Sequence, residues 1–194
     1  VRRFLTVTRE HPHWPIWVLA ATTGMRRGEV VSLRWQDYDE QAGTITIAGT
    51  TRFVGCDDKG QMIFRFEEPK TSRSRRTLVL PALARTALAV QKARASSVAY
   101  IFARPGGQPI SPDYVSHVFA LALAQHGFPS VRLHSLRHSA AMTMLDLLGG
   151  DIRAVSATLG HSSINTTVNV YGQAADDARR RAAAAMDKAM EGMG

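Results

Sequence analysis

Between Trp14 and Thr23 the chain reads WPIWVLAATT, and this run constrains the fold more than any other feature. It is apolar enough for a buried helix, and such a helix needs the rest of the chain around it. Gly24 breaks it, and residues 26–35 read as a second helix with Val30, Leu33 and Trp35 turned inward. The pattern then changes. Residues 44–48 (TITIA) are β-branched and strand-like, and 61–68 (QMIFRFEE) and 76–80 (RTLVL) read as two further strands. The polar segment from Pro69 to Arg75 is the turn between the last two. Helical character resumes at 81–95, with Pro81 suited to a first turn. Further helices are expected at 111–126, 135–148 and 151–159, with a short one at 163–169. The β-branched Thr166, Thr167 and Val168 weigh against that short helix. The expected class is therefore mainly α with a small antiparallel three-stranded β-sheet, an α+β arrangement. Gly149–Gly150 is a turn inside a domain, and residues 1–194 are expected to form one domain.

Charge narrows the partner. Twenty-four Lys and Arg against sixteen Asp and Glu give a net charge of +8 over 194 residues, which favours a polyanion. Nucleic acid is the commoner polyanion, ahead of an anionic membrane surface. A single cysteine, Cys56, excludes an internal disulfide and suits a reducing cytosol. No apolar run reaches the roughly 18 residues of a membrane span, and the N-terminus has no signal-peptide core. A cytoplasmic location is expected, with no membrane partner. The chain begins at Val1, already in mid-pattern, and reads as a fragment of a longer protein.

The residues that can carry chemistry fall in five short motifs. Arg26, in TGMRRGE, follows the Thr-Gly break and sits near a helix N-terminus, where backbone amides also favour anions. Glu29 is three residues on, on the same face, and can orient that guanidinium; a solvated charged helix end is the plainer reading. Lys70, in EPKTSRSRR, lies in a turn with Arg73, Arg75 and Arg76 behind it. Together with Arg65 these offer phosphate contacts, and a lysine there can protonate a leaving alkoxide. Lys59 competes for that role from a plain turn, GCDDKGQ. His134 and Arg137, in HSLRH, are three apart on one helix and can hold two oxygens of one phosphate. His138 is four from His134, a spacing that also suits two zinc ligands. Only Cys56 and His161 offer themselves as further ligands, and no metalloprotease glutamate is present, so no metal is expected. His161 follows Leu159–Gly160, and Ser162, Ser163 and Asn165 can cap a next helix; residues 151–169 could equally be a DNA-reading helix pair. Tyr171 comes ten residues later, before Gly172, where a half-buried packing tyrosine is the usual occupant.

In this order, TGMRRGE, EPKTSRSRR, HSLRH, LGHSS and TTVNVYG resemble the motifs of the tyrosine recombinases, the family of phage integrases and Xer-type recombinases. The resemblance covers essentially the whole chain. It implies the tyrosine recombinase catalytic-domain fold. It also implies a catalytic set of Arg26 (rather than Arg27), Lys70, His134, Arg137, His161 and the nucleophile Tyr171, supported by Glu29. The implied reaction cleaves and rejoins double-stranded DNA at attachment sites through a 3′-phosphotyrosyl bond, with no cofactor. A type IB topoisomerase would share that chemistry, and a non-enzymatic DNA-binding regulator would share the basic surface but form no adduct. The resemblance further implies an N-terminal core-binding domain, expected to lie outside this fragment. The tail at 174–190 is expected to be an amphipathic helix with Ala178, Ala182, Met186 and Met190 in one stripe. In this family such a tail docks on a neighbour, so a monomer is expected for the isolated domain and a tetramer on DNA for the full-length protein.

Overall fold

The structure is a computed structural model that describes residues 1–56, 58, 62–67, 75–95, 99–160, 180, 183–187 and 190. Its helices are α1 (Arg2–Val7), α2 (Trp14–Thr23), α3 (Arg27–Val31), α4 (Ala82–Ala93), α5 (Pro112–Gln125), α6 (His134–Leu147) and α7 (Ile152–Leu159). Its strands are β1 (Tyr38–Asp39), β2 (Thr44–Ile47), β3 (Thr50–Cys56), β4 (Met62–Glu67) and β5 (Arg76–Val79).

Helix α2 is the centre. Trp17, Val18 and Leu19 have no exposed surface, and the helix packs against α3, α4 and α6. Phe4 of α1 closes one side, with its ring 5.1 Å from Trp17 and 5.2 Å from Phe119 of α5. The Trp14 indole N–H donates to the Leu5 carbonyl at 2.8 Å, which ties α1 to α2. Gly24 stops α2 in the left-handed region (φ 67°), and a Cβ there would lie 2.4 Å from Leu159. Only glycine meets both conditions, and this close approach is what brings α7 against the end of α2. Ala141, Leu145, Val155 and Leu159 form a second small core between α6 and α7.

The β part differs from the expected single sheet. The three-stranded antiparallel sheet has the order β1-β2-β5, and β3 and β4 form a separate two-stranded ribbon. Ile45 and Ile47 of β2 and Leu78 of β5 point into the core, while Val79 is exposed. The ribbon is held from outside the sheet. The Arg34 guanidinium lies 4.3 Å from the Phe66 ring, and that of Arg104 lies 5.2 Å from the Phe64 ring.

Helix α3 is also shorter than the 26–35 expectation. The Ser32 hydroxyl donates to the Gly28 carbonyl and accepts from the Thr51 amide, competing with helical continuation. Arg34 is then extended and bridges Tyr100 before a 3₁₀ turn opens at Trp35, with Ile101 N donating to Leu33 O at 2.9 Å and Trp35 N to Ala99 O at 3.0 Å. Val30 and Leu33 are buried as expected, and Trp35 packs at the core's edge. The expected helix at 163–169 lies outside the described residues. Of the tail, residues 183–187 are helical, and Met186 and Met190 are exposed.

Candidate active site

Three elements converge on the C-terminus of α7, and each brings an arginine. Arg26 caps the start of α3 in extended conformation. Glu29 reaches back to it: its Oε2 accepts from the Arg26 amide at 2.7 Å and its Oε1 from the Arg26 Nη1 at 3.0 Å. This is the contact the i, i+3 spacing predicts, and it closes the glutamate half of a capping box. The same guanidinium donates to the Gly160 carbonyl at 3.3 Å and 3.4 Å. Arg137, one turn into α6, is 3% exposed. It donates to the Gly24 carbonyl and, at 3.0 Å, to the Leu159 carbonyl.

The third arginine is Arg76, one of the expected phosphate ligands. Its side chain is only 8% exposed. It lies along Glu29 in a two-bond fork, Nη1 to Oε1 at 3.1 Å and Nη2 to Oε2 at 3.0 Å, and its Nε donates to the Thr158 carbonyl at 2.9 Å. One sequence signal could have found this. Leu78 and Leu80 are buried, and the period of two in a strand puts Arg76 on their side.

Of the other expected phosphate ligands, Arg65 and Arg75 are exposed, on β4 and just before β5. Arg27 points away from the convergence, pairing with Asp113 at 2.9 Å and Ser116 at 2.8 Å on α5. Lys70, Arg73, His161 and Tyr171 lie outside the described residues; in sequence, His161 directly follows Gly160.

His134 opens α6 with its ring exposed and 4.9 Å from that of His138, edge to face. Partial burial lowers its pKa, and the charges of His138, Arg137, Arg26 and Arg132 push it further down. Both effects favour the neutral imidazole, the form able to accept a proton. Among the described residues no group of three or more His, Cys, Asp or Glu side chains could hold a metal ion.

Glu29 is buried, which by itself would favour the protonated carboxyl. The hydrogen bonds and charge of Arg76, followed by those of Arg26, outweigh that and hold its pKa below the ordinary glutamate range. A depressed carboxylate adds stability that is complete above its unfolded pKa and is lost as pH falls through its folded one. Urea denaturation from about pH 6 down to about pH 3 should therefore find Glu29→Gln less stable than the parent at the upper end, with the gap closing on acidification. A gap of constant size would mean that the carboxylate's charge contributes nothing.

Among the described residues no helix is long and apolar enough to cross a membrane. The model of the phage integrase family matches residues 10–178. A protein named tyrosine recombinase XerC from Bifidobacterium longum is 36% identical over 169 residues, covering 80% of this chain and 45% of that protein. A XerC-like tyrosine recombinase from Caldanaerobacter subterraneus subsp. tengcongensis is 27% identical over 188 residues, covering 88% and 48%. The chain thus spans about half the length of the curated relatives it matches. In fold it is similar to the Tn1549 transposon integrase in complex with transposon right end DNA, with a TM-score of 0.76 at 20% identity over 94% of this chain and 64% of that one. It is also similar to the XerA recombinase, with a TM-score of 0.69 at 22% identity over 93% and 58%.

Proposed function

Because this chain belongs to the phage integrase family, we propose that it is the catalytic part of a site-specific DNA recombinase, which cuts and rejoins strands through a 3′-phosphotyrosyl bond. The observation that carries this reading is the convergence of Arg26 and Arg137 on adjacent carbonyls, Gly160 and Leu159, with His134 at the start of the helix that carries Arg137. In the proposed reaction the Tyr171 Oη attacks the phosphorus of a DNA phosphodiester, and its proton passes toward His134. The bond from phosphorus to the 5′-oxygen breaks, and Lys70 protonates that oxygen as it leaves. Charge builds on the non-bridging oxygens, where Arg26, Arg137 and His161 donate to it. The phosphotyrosyl ester keeps the energy of the broken bond, so attack by a 5′-hydroxyl reverses the step and rejoins strands without ATP. Guanidinium groups take the part that Mg²⁺ plays in other phosphoryl transfers.

Arg65, Arg73 and Arg75 would add backbone contacts that carry little sequence information. The wider protein is proposed to carry a further DNA-clamping domain, to work in the cytoplasm, and to assemble as a tetramer on DNA. Within that assembly the tail stripe, with its exposed Met186 and Met190, would dock on a neighbour.

The test is a nicked suicide duplex, drawn from DNA the protein selects by binding, followed by a denaturing gel. A covalent protein–DNA band, equal with and without EDTA, is the expected result. A clear loss with EDTA would point to a metal, and no band from any bound duplex would point to a binding protein.

A further inference from the structure

Three successive carbonyls at the end of α7 are each held by an arginine from a different element. Thr158 accepts from Arg76 of β5, Leu159 from Arg137 of α6, and Gly160 from Arg26 at the start of α3. Two of these arginines belong to the proposed phosphate clamp. Arg76 is set apart by its partner: both terminal nitrogens are committed to the carboxylate that orients Arg26. We infer that Arg76 is a positioning residue, which fixes the Arg26 guanidinium through Glu29 and holds the end of α7 that leads into His161. The kinetic part of this inference rests on the strand-transfer reading above.

Each oxygen of Glu29 receives one bond from Arg26 and one from Arg76. With the carboxylate clasped from the Arg76 side, its remaining lone pairs have one direction, toward the Arg26 amide and Nη1. Without Arg76 the carboxylate is free to rotate, and Arg26 loses its fixed reference. The fork matters as well as the charge, because lysine offers a point charge with no planar pair of donors and no Nε for Thr158. Gly160 records how close the fit is. It has φ 66°, and a Cβ there would lie 2.5 Å from the Arg76 Nη1 and 2.7 Å from its Cζ. Arg76 opens β5 and follows Lys70 by six residues in sequence, and its side chain reaches both the Glu29 that holds Arg26 and the end of α7 that precedes His161 in sequence.

Two measurements test this, one on the DNA-free protein and one on the reaction. In the free protein, Arg76→Gln should raise the titration midpoint of the Glu29 carboxyl, followed by carbon NMR. In single-turnover adduct formation, Arg76→Lys, which keeps the charge, should stay folded and bind DNA within about threefold of the parent, yet cleave roughly 10- to 100-fold more slowly, the scale of a catalytic group displaced by about an ångström. Positioning through Arg26 also predicts that Arg76→Lys costs less in the Arg26→Ala background than in the parent. Parental cleavage by a folded Arg76→Lys, or losses that simply multiply in the double variant, would overturn the inference. If the parent itself forms no adduct, the strand-transfer reading fails, and Arg76 is then judged on the titration: an unmoved Glu29 would dismiss it.

Discussion

Tyr171→Phe is expected to yield no covalent protein–DNA band at all, while its DNA affinity stays within about twofold of the parent. The substitution removes one hydroxyl and little else, so binding through the proposed phosphate contacts with Arg and Lys has no reason to fall. The reaction has no other route, because a phenyl ring carries no nucleophile. The other tyrosines do not offer a substitute. Tyr38 and Tyr100 sit in strand pairings, and Tyr114 lies on α5 with its ring 5.4 Å from His13. The measurement is a suicide-substrate gel beside a filter-binding titration of the same preparation. A full-strength band from Tyr171→Phe would remove this tyrosine from the mechanism.

Arg137→Ala should fail in two ways at once. The proposed transition-state role predicts that its loss slows adduct formation by roughly 100-fold or more. As a buried side chain it also serves the Gly24 and Leu159 carbonyls, and stranding buried acceptors costs about 1–3 kcal/mol each where no water replaces the donor. Thermal melting and single-turnover kinetics should therefore both move. Arg27→Ala is the matched control. Its pairing with Asp113 is at the surface, where such pairs contribute little, so its cleavage rate should stay within about threefold. If Arg27 proved the sensitive residue and Arg137 the silent one, the site would have to be rebuilt around α5.

The helices were largely legible in the sequence because their ends are marked locally. Gly24 closes α2 and Gly160 closes α7, both in the left-handed region. Ser111 caps α5, accepting from the Asp113 amide, with Pro112 at its first position. The strands were less legible because their partners are distant in sequence. Residues 50–56 alternate only weakly, and nothing local says that 61–68 pairs with them rather than with 44–48. The early end of α3 has the same origin, since the pairing that replaces it comes from residues 99–101. The site divides in the same way. Arg26 and Glu29 are three residues apart, and their contact follows from helical geometry. Arg76 meets Glu29 across 47 residues, and its place behind Lys70, Arg73 and Arg75 made it look like one more surface cation.

The convergence on α7 has a consequence for charge. Arg26, Arg76 and Arg137 bring three positive charges and Glu29 removes one, a net of two within a single hydrogen-bonded cluster. A phosphodiester carries one negative charge. The five-coordinate species formed when an alkoxide adds to it carries two. The cluster therefore balances the fleeting species better than the resting one, and it does so from side chains already fixed by folding. This is the condition under which binding energy lowers a barrier rather than merely tightening a complex. In the proposed reaction, a duplex that only visits this surface would leave the surplus half-answered, and the electrostatic gain would be completed at the moment of strand exchange.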